Sequence, residues 1–121
     1  MNKEHLRVML ENGMHIGSHG YDHCWWNTLS KADQQFEIVS ANKFLRGMGV
    51  DMRYLSVCYP YGAYNEETLK LLDVCGVKAA FTTKPDVAEI KQDCRYILPR
   101  LDTNDISKNA NGIKDQWYFK A

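Results

Sequence analysis

The chain has 121 residues, a size at which a single domain around one core is the norm. Fifteen Lys and Arg balance fifteen Asp and Glu, so no global charge draws the protein to nucleic acid or to an anionic membrane surface. A hydrophobic fraction of 45% beside 25% charged residues describes a chain that folds and buries a core, which excludes wholesale disorder.

The opening stretch MNKEHLRVMLENGMHIG carries Lys3, Glu4, Arg7 and Glu11, so it lacks the apolar run of a signal peptide. No later stretch approaches the roughly 20 apolar residues of a membrane span, and the expectation is a cytoplasmic protein with no membrane span. Leu6, Met9 and Leu10 recur at helical spacing up to Asn12-Gly13, which predicts a short helix over 2–12. Met14 to Ser18, bounded by Gly13 and Gly20, reads as a strand. Ser30 is a good N-cap, and Phe36, Ile38, Val39, Phe44 and Leu45 place a broad apolar face on a helix over 31–47. Tyr54 to Tyr59 is the next strand, closed by Pro60 and Gly62. Asn65 caps a helix running to Cys75, with Glu66 and Glu67 where negative charge suits the helix dipole. Val77 to Thr83 and Arg95 to Leu98 read as strands, and Trp117, Tyr118 and Phe119 as the apolar side of a terminal helix. Strand and helix alternate, so the predicted class is α/β, with parallel strands joined by crossover helices. Cys24, Cys58, Cys75 and Cys94 are widely spaced without a C-x-x-C pair and read as reduced thiols.

The segment G-S-H-G-Y-D-H, residues 17–23, follows the first predicted strand, and α/β proteins place their sites at such strand ends. A tight glycine-containing turn can bring the imidazoles of His19 and His23 onto one metal ion, although two exposed histidines also fall four apart by chance. Gly20 follows His19, so the His-Glu-x-x-His pattern of helical metalloproteases is absent. Trp25 and Trp26 offer a stacking surface for a sugar ring or simply pack, and Tyr64 has the same two readings. Arg100 suits a bidentate contact to a carboxylate or phosphate, or a structural ion pair. His5 and His15 read as ordinary exposed side chains.

N-G-M-H-I-G-S-H-G-Y-D-H, followed by Y-P-Y-G-A-Y-N and by L-P-R-L-D, resembles the second and third motifs and a later segment of the NodB-type polysaccharide deacetylases, carbohydrate esterase family 4. The resemblance covers residues 6–105 and implies a distorted (β/α) barrel holding one divalent metal, usually zinc, through an aspartate and two histidines. His19 and His23 match the two metal histidines. Tyr61 matches the position whose backbone N–H stabilises the tetrahedral oxyanion, and Tyr59 and Pro60 line the same substrate-binding turn. The implied reaction is metal-dependent hydrolysis of an N-acetyl or O-acetyl group on an acetylated carbohydrate.

The sequence also departs from that pattern. The family's Asp-Asp motif, source of the general base and the third metal ligand, has no counterpart, so residues 1–121 read as a single partial domain truncated at its N-terminal side. Cys58 stands where many members carry an arginine, and no Leu-x-His supplies a general acid near the C-terminus. Three readings follow: a shortened enzyme, a non-catalytic relic or binding module with a weak two-histidine site, and an assembly in which a partner chain completes the barrel. Unpaired sheet edge predicts self-association, with a homo-oligomer as its simplest form.

Overall fold

A computed structural model describes residues 1–89, 95–106 and 108. The predicted terminal helix and Cys94 lie outside the described residues. Helix α1 spans Lys3–Glu11; the Asn2 side chain accepts the His5 N–H while His5 Nδ1 accepts the Asn2 N–H, a reciprocal cap. Helix α2, Lys31–Gly47, is capped by Ser30, whose hydroxyl accepts the Asp33 N–H. Helix α3, Glu66–Val74, begins on a second reciprocal cap between Asn65 and Thr68. Three single 3-10 turns, Trp26–Thr28, Met52–Tyr54 and Pro60–Gly62, connect the longer elements.

The regular strands are shorter than the apolar runs suggest. Strand β1 is Ser56–Cys58 and β2 is Ala79–Phe81, paired in parallel with Val57 opposite Ala80. Parallel strands need a long crossover, and α3 provides it. The two other predicted strands contribute single parallel bridges, Ser18 to Val57 and Phe81 to Leu98. Four parallel segments therefore lie side by side in chain order. The α/β class and the parallel pairing hold, while a closed barrel is not seen among the described residues.

Trp26, Ile38, Leu45, Leu55, Val57, Tyr59, Leu71, Leu72, Val77, Ala80 and Tyr96 form the core between this sheet and helices α2 and α3. Full burial of each large aliphatic side chain contributes roughly 1.5–3 kcal/mol. The Tyr59 hydroxyl donates to the Tyr96 carbonyl at 2.6 Å, and the Tyr96 hydroxyl contacts the Val77 carbonyl at 3.0 Å, so the Leu98 segment is tied to the core by buried polar groups. Burial and the Asp73 carboxylate push the Tyr96 hydroxyl above the usual tyrosine range.

The apolar face of α2 corrects the sequence reading. The buried positions are Gln34, Glu37, Ile38, Ala41, Asn42 and Leu45, whereas Phe36, Val39 and Phe44 are exposed. Polar side chains on the inward face have specific partners: Gln34 donates to the Leu29 carbonyl and accepts from the Thr68 hydroxyl, locking α2 to the start of α3. A count of apolar residues cannot tell such a satisfied polar stripe from a solvated one.

Candidate functional site

The chain reaches the site from the sheet. Ser18 donates to the Ser56 carbonyl at 2.8 Å and accepts from the Cys58 N–H at 2.9 Å, so the residue before His19 is pinned to β1. Gly17 is needed for that approach, because a Cβ there would lie 2.6 Å from Ser56 Oγ and 2.9 Å from the Ser56 carbonyl oxygen. The chain then turns through two left-handed residues, Gly20 at φ +81° and His23 at φ 56°. That conformation is costly for a residue with a Cβ, by roughly 1–2 kcal/mol.

The turn brings His19 Nε2 and His23 Nε2 to 3.0 Å, a separation that two nitrogens, each about 2.0–2.1 Å from one zinc ion, can span. His19 Nδ1 lies 2.7 Å from the Cys58 carbonyl oxygen. A carbonyl only accepts, so Nδ1 carries the hydrogen and the neutral ring presents a lone pair at Nε2. Both rings are exposed. The donor set fits one divalent cation on two of its positions, and among the described residues no third His, Cys, Asp or Glu joins them.

Tyr61 closes one side of the pair. It sits in the Pro60–Gly62 turn with φ 56° and ψ 11°. Its ring meets His23 edge-on at 4.6 Å and stacks on Trp25 at 4.4 Å with 3° between the planes. No acceptor among the described residues takes the Tyr61 N–H. Trp25 is 52% exposed, so the stack is open to solvent.

Other expected residues fall elsewhere. Trp26, 0% exposed, packs edge-on against Tyr59 in the core, and Tyr59 and Pro60 are buried as well. Trp26, Tyr59 and Pro60, expected to line the substrate-binding turn, are thus enclosed, and in this structure they support the turn from beneath. Arg100 donates through Nε to the Thr82 carbonyl at 3.1 Å and reaches Cys58 Sγ with Nη1 at 3.5 Å. It thereby lines a cavity of about 360 Å³ together with His19, Ser56 and Cys58. Tyr64 stacks on Tyr59 and borders a separate cavity of about 630 Å³ with Thr82, Thr83 and Lys84. His15 contacts Ser56 Oγ at 2.9 Å, and His5 caps α1. The Asp102 carboxylate accepts the N–H of Asn104 in a local turn. Cys24, Cys58 and Cys75 are free thiols. Desolvation, then the Glu37 and Asp22 carboxylates, push the Cys24 thiol up, which keeps it protonated at neutral pH.

Sequence reasoning missed two parts of the site, the Cys58 carbonyl that sets the His19 tautomer and the buried Glu37 beneath the histidine turn. A main-chain acceptor leaves no trace in residue identity. Glu37 leaves none either: the apolar face read from the sequence did not include it, and what keeps it inside is the Tyr21–Asp22 turn, distant in sequence.

The family model described as polysaccharide deacetylase matches residues 1–80. A Bacillus subtilis (strain 168) protein named as a polysaccharide deacetylase, YxkH, is 34% identical over 101 residues, covering 84% of this chain and 36% of its own length. The Streptococcus pyogenes deacetylase PplD, solved in complex with acetate, superposes with a TM-score of 0.77 at 22% identity, over 84% of this chain and 44% of PplD. A family 4 carbohydrate esterase from Streptomyces lividans, also in complex with acetate, gives a TM-score of 0.63 at 17% identity, over 83% of this chain and 58% of that one. The chain thus spans between about a third and somewhat over half of the length of these relatives.

Proposed function

Because the chain belongs to the polysaccharide deacetylase family, we propose that it carries the histidine half of a metal-assisted site that hydrolyses acetyl groups on a carbohydrate. The observation that carries this reading is the pair of Nε2 atoms 3.0 Å apart, one of them fixed as a lone-pair donor by the Cys58 carbonyl. When bound there, a divalent cation such as zinc supplies Lewis acidity toward an acetyl carbonyl and eases deprotonation of water. The Tyr61 N–H, which no acceptor among the described residues takes, is the donor assigned to the oxyanion that develops on that carbonyl. The open Trp25–Tyr61 stack supplies a flat apolar face suited to a sugar ring. Arg100, beside Cys58, keeps guanidinium N–H groups available for a carboxylate or a substrate oxygen. The four parallel segments would form an arc of the distorted barrel.

Purified protein is expected to retain zinc, cobalt or nickel weakly and below one equivalent, and the double variant His19→Ala/His23→Ala to retain none, as elemental analysis after dialysis reads directly. Equal metal content in the two proteins sinks the metal reading. The missing third ligand among the described residues also favours a second reading, a non-catalytic module of the same fold. Such a module binds acetylated oligosaccharide without releasing acetate.

Among the described residues the Ser18 segment is bridged on one side only, and next to it Leu6, Ile16, Ala41, Phe44 and Leu45 line a cavity of about 470 Å³. Exposed apolar surface beside an unpaired edge favours self-association. Sedimentation is expected to show an average mass that rises with concentration; a monomer at every concentration counts against it.

A further inference from the structure

The turn between the two histidines is built on a carboxylate from a distant element. Glu37, on α2, is 3% exposed. Its Oε2 accepts the N–H of Tyr21 and the N–H of Asp22, each at 3.0 Å, and Oε1 lies 3.2 Å from the Asp22 nitrogen. Among the described residues no Lys, Arg or His pairs with it. A carboxylate removed from water without a cation is strongly unfavourable unless hydrogen bonds satisfy it, and here the donors are the successive main-chain N–H groups of one turn. Those two residues lie between His19 and His23, with Asp22 directly before the left-handed His23.

We infer that Glu37 is the positioning residue of the histidine pair: its carboxylate fixes the backbone of Tyr21 and Asp22 and so holds the left-handed His23 where its Nε2 meets that of His19. This rests on the metal reading above for its consequence, but the anchoring itself stands on the hydrogen bonds. Three features point the same way. The turn contains a non-glycine residue at φ 56°, a conformation that persists only where the surroundings over-determine it. Gly20 lies directly against the carboxylate, since a Cβ there would sit 3.1 Å from Glu37 Oε2 and 3.2 Å from Trp26 Cζ2. The Ser18 hydroxyl accepts the Gly20 N–H at the start of the turn, but no other side chain among the described residues bonds the main-chain N–H groups of Tyr21 and Asp22, so Glu37 alone anchors those two amides. The bonds are charge-assisted, which roughly doubles their strength relative to neutral pairs. Glu37 itself touches neither imidazole in any recorded bond and acts through the main chain. It reaches the site from the helix, so the fold of α2 and the geometry of the metal pair are coupled.

The test compares wild-type protein with Glu37→Gln and Glu37→Ala. In Glu37→Gln one oxygen can still accept both N–H groups at the Oε2 position, so this variant is the conservative rescue. Three readouts apply to each: far-UV circular dichroism for folding, amide hydrogen exchange at Tyr21 and Asp22, and zinc affinity, with the visible spectrum of bound cobalt reporting ligand geometry. The expected result for Glu37→Ala is a retained helical spectrum, faster exchange at both amides, zinc affinity lower by about 10–100-fold, and an altered cobalt spectrum. Glu37→Gln is expected to lose less than about tenfold, with the exchange of both amides close to wild type. If Glu37→Ala does not fold, Glu37→Asp, which keeps the charge but draws the carboxylate back by one methylene from the Tyr21 and Asp22 N–H groups, carries the test: faster exchange at both amides and weaker zinc binding are expected, and wild-type zinc affinity with wild-type amide exchange in that variant overturns the inference. Faster amide exchange with unchanged zinc affinity also overturns it, by showing that the anchored turn does not set the pair. Absence of zinc and cobalt binding in the wild type is a separate outcome that overturns the metal reading and, with it, the role of Glu37 in metal positioning, whatever the amides show.

Discussion

Trp26→Ala is expected to lower the stability of the domain by about 3–5 kcal/mol, a large share of the total of about 5–15 kcal/mol that holds a domain folded. The neighbouring Trp25→Ala is expected to change it by at most about 0.5–1.5 kcal/mol, the value of one aromatic stack. Two adjacent identical side chains differ this much because one is enclosed in the core and the other is half in water. Trp26 is fully enclosed and meets the Tyr59 ring at 5.9 Å, while Trp25 lies over Tyr61 with about half its surface in water. Truncating Trp26 opens a large cavity under both Gly20 and the Tyr59–Pro60 turn, the two supports of the site. Its indole N–H has no hydrogen-bond partner among the described residues, so Trp26→Phe, which removes that buried donor along with some volume, is expected to lose less than Trp26→Ala. Urea unfolding at constant slope measures all three variants. A Trp26→Ala midpoint equal to wild type would contradict this account of the core. Sugar binding is expected to reverse the ranking, with Trp25→Ala the more damaging change wherever the variants remain folded.

The tryptophan pair shows where sequence reading stops. Helices 31–47 and 66–74 were legible because capping residues, Ser30 and Asn65, and stop signals at Gly47 and Gly76 are local chemistry that survives in any context. The parallel order of segments followed from alternation alone. Strand lengths did not: the runs 54–59 and 77–83 shrink to Ser56–Cys58 and Ala79–Phe81, because the 3-10 turn at Met52–Tyr54 takes one end of the first run and pairing is decided by neighbours. Which face of α2 is buried was misread for the same reason. Gln34 and Glu37 are stable inside only because Thr68 and the Tyr21–Asp22 turn, far away in sequence, satisfy them. At the site, the resemblance of the G-S-H-G-Y-D-H segment to the family's motif, rather than the spacing alone, singled out the two histidines, and the structure adds what the motif lacks: the Cys58 carbonyl, the Glu37 carboxylate and the ring of Tyr61.

Residues 1–121 by themselves are expected to release little or no acetate from N-acetylglucosamine oligomers or acetylated xylan, even with zinc added. A positioned general base contributes about 10²–10⁴-fold, and among the described residues no carboxylate joins His19 and His23 to serve as one. The carboxylate nearest in sequence, Asp22, has its own N–H held by Glu37, and Asp102 is engaged by Asn104 in its own loop. With no third protein ligand among the described residues, a metal would be held weakly as well, so two losses compound. What remains is the Tyr61 N–H, and one preorganised oxyanion donor contributes about 10²–10³-fold to a reaction that is otherwise assembled; alone it neither activates water nor protonates a departing amine. A longer form that restores an Asp-Asp motif upstream is expected to recover activity by at least the factor of the base, about 10²–10⁴, and to lose it again on His19→Ala. Acetate release measured side by side in the two forms decides the matter. Turnover by residues 1–121 alone that vanishes in His19→Ala would refute the expectation, and would mean that Asp22, Asp102 or a second chain delivers the carboxylate to the histidine pair.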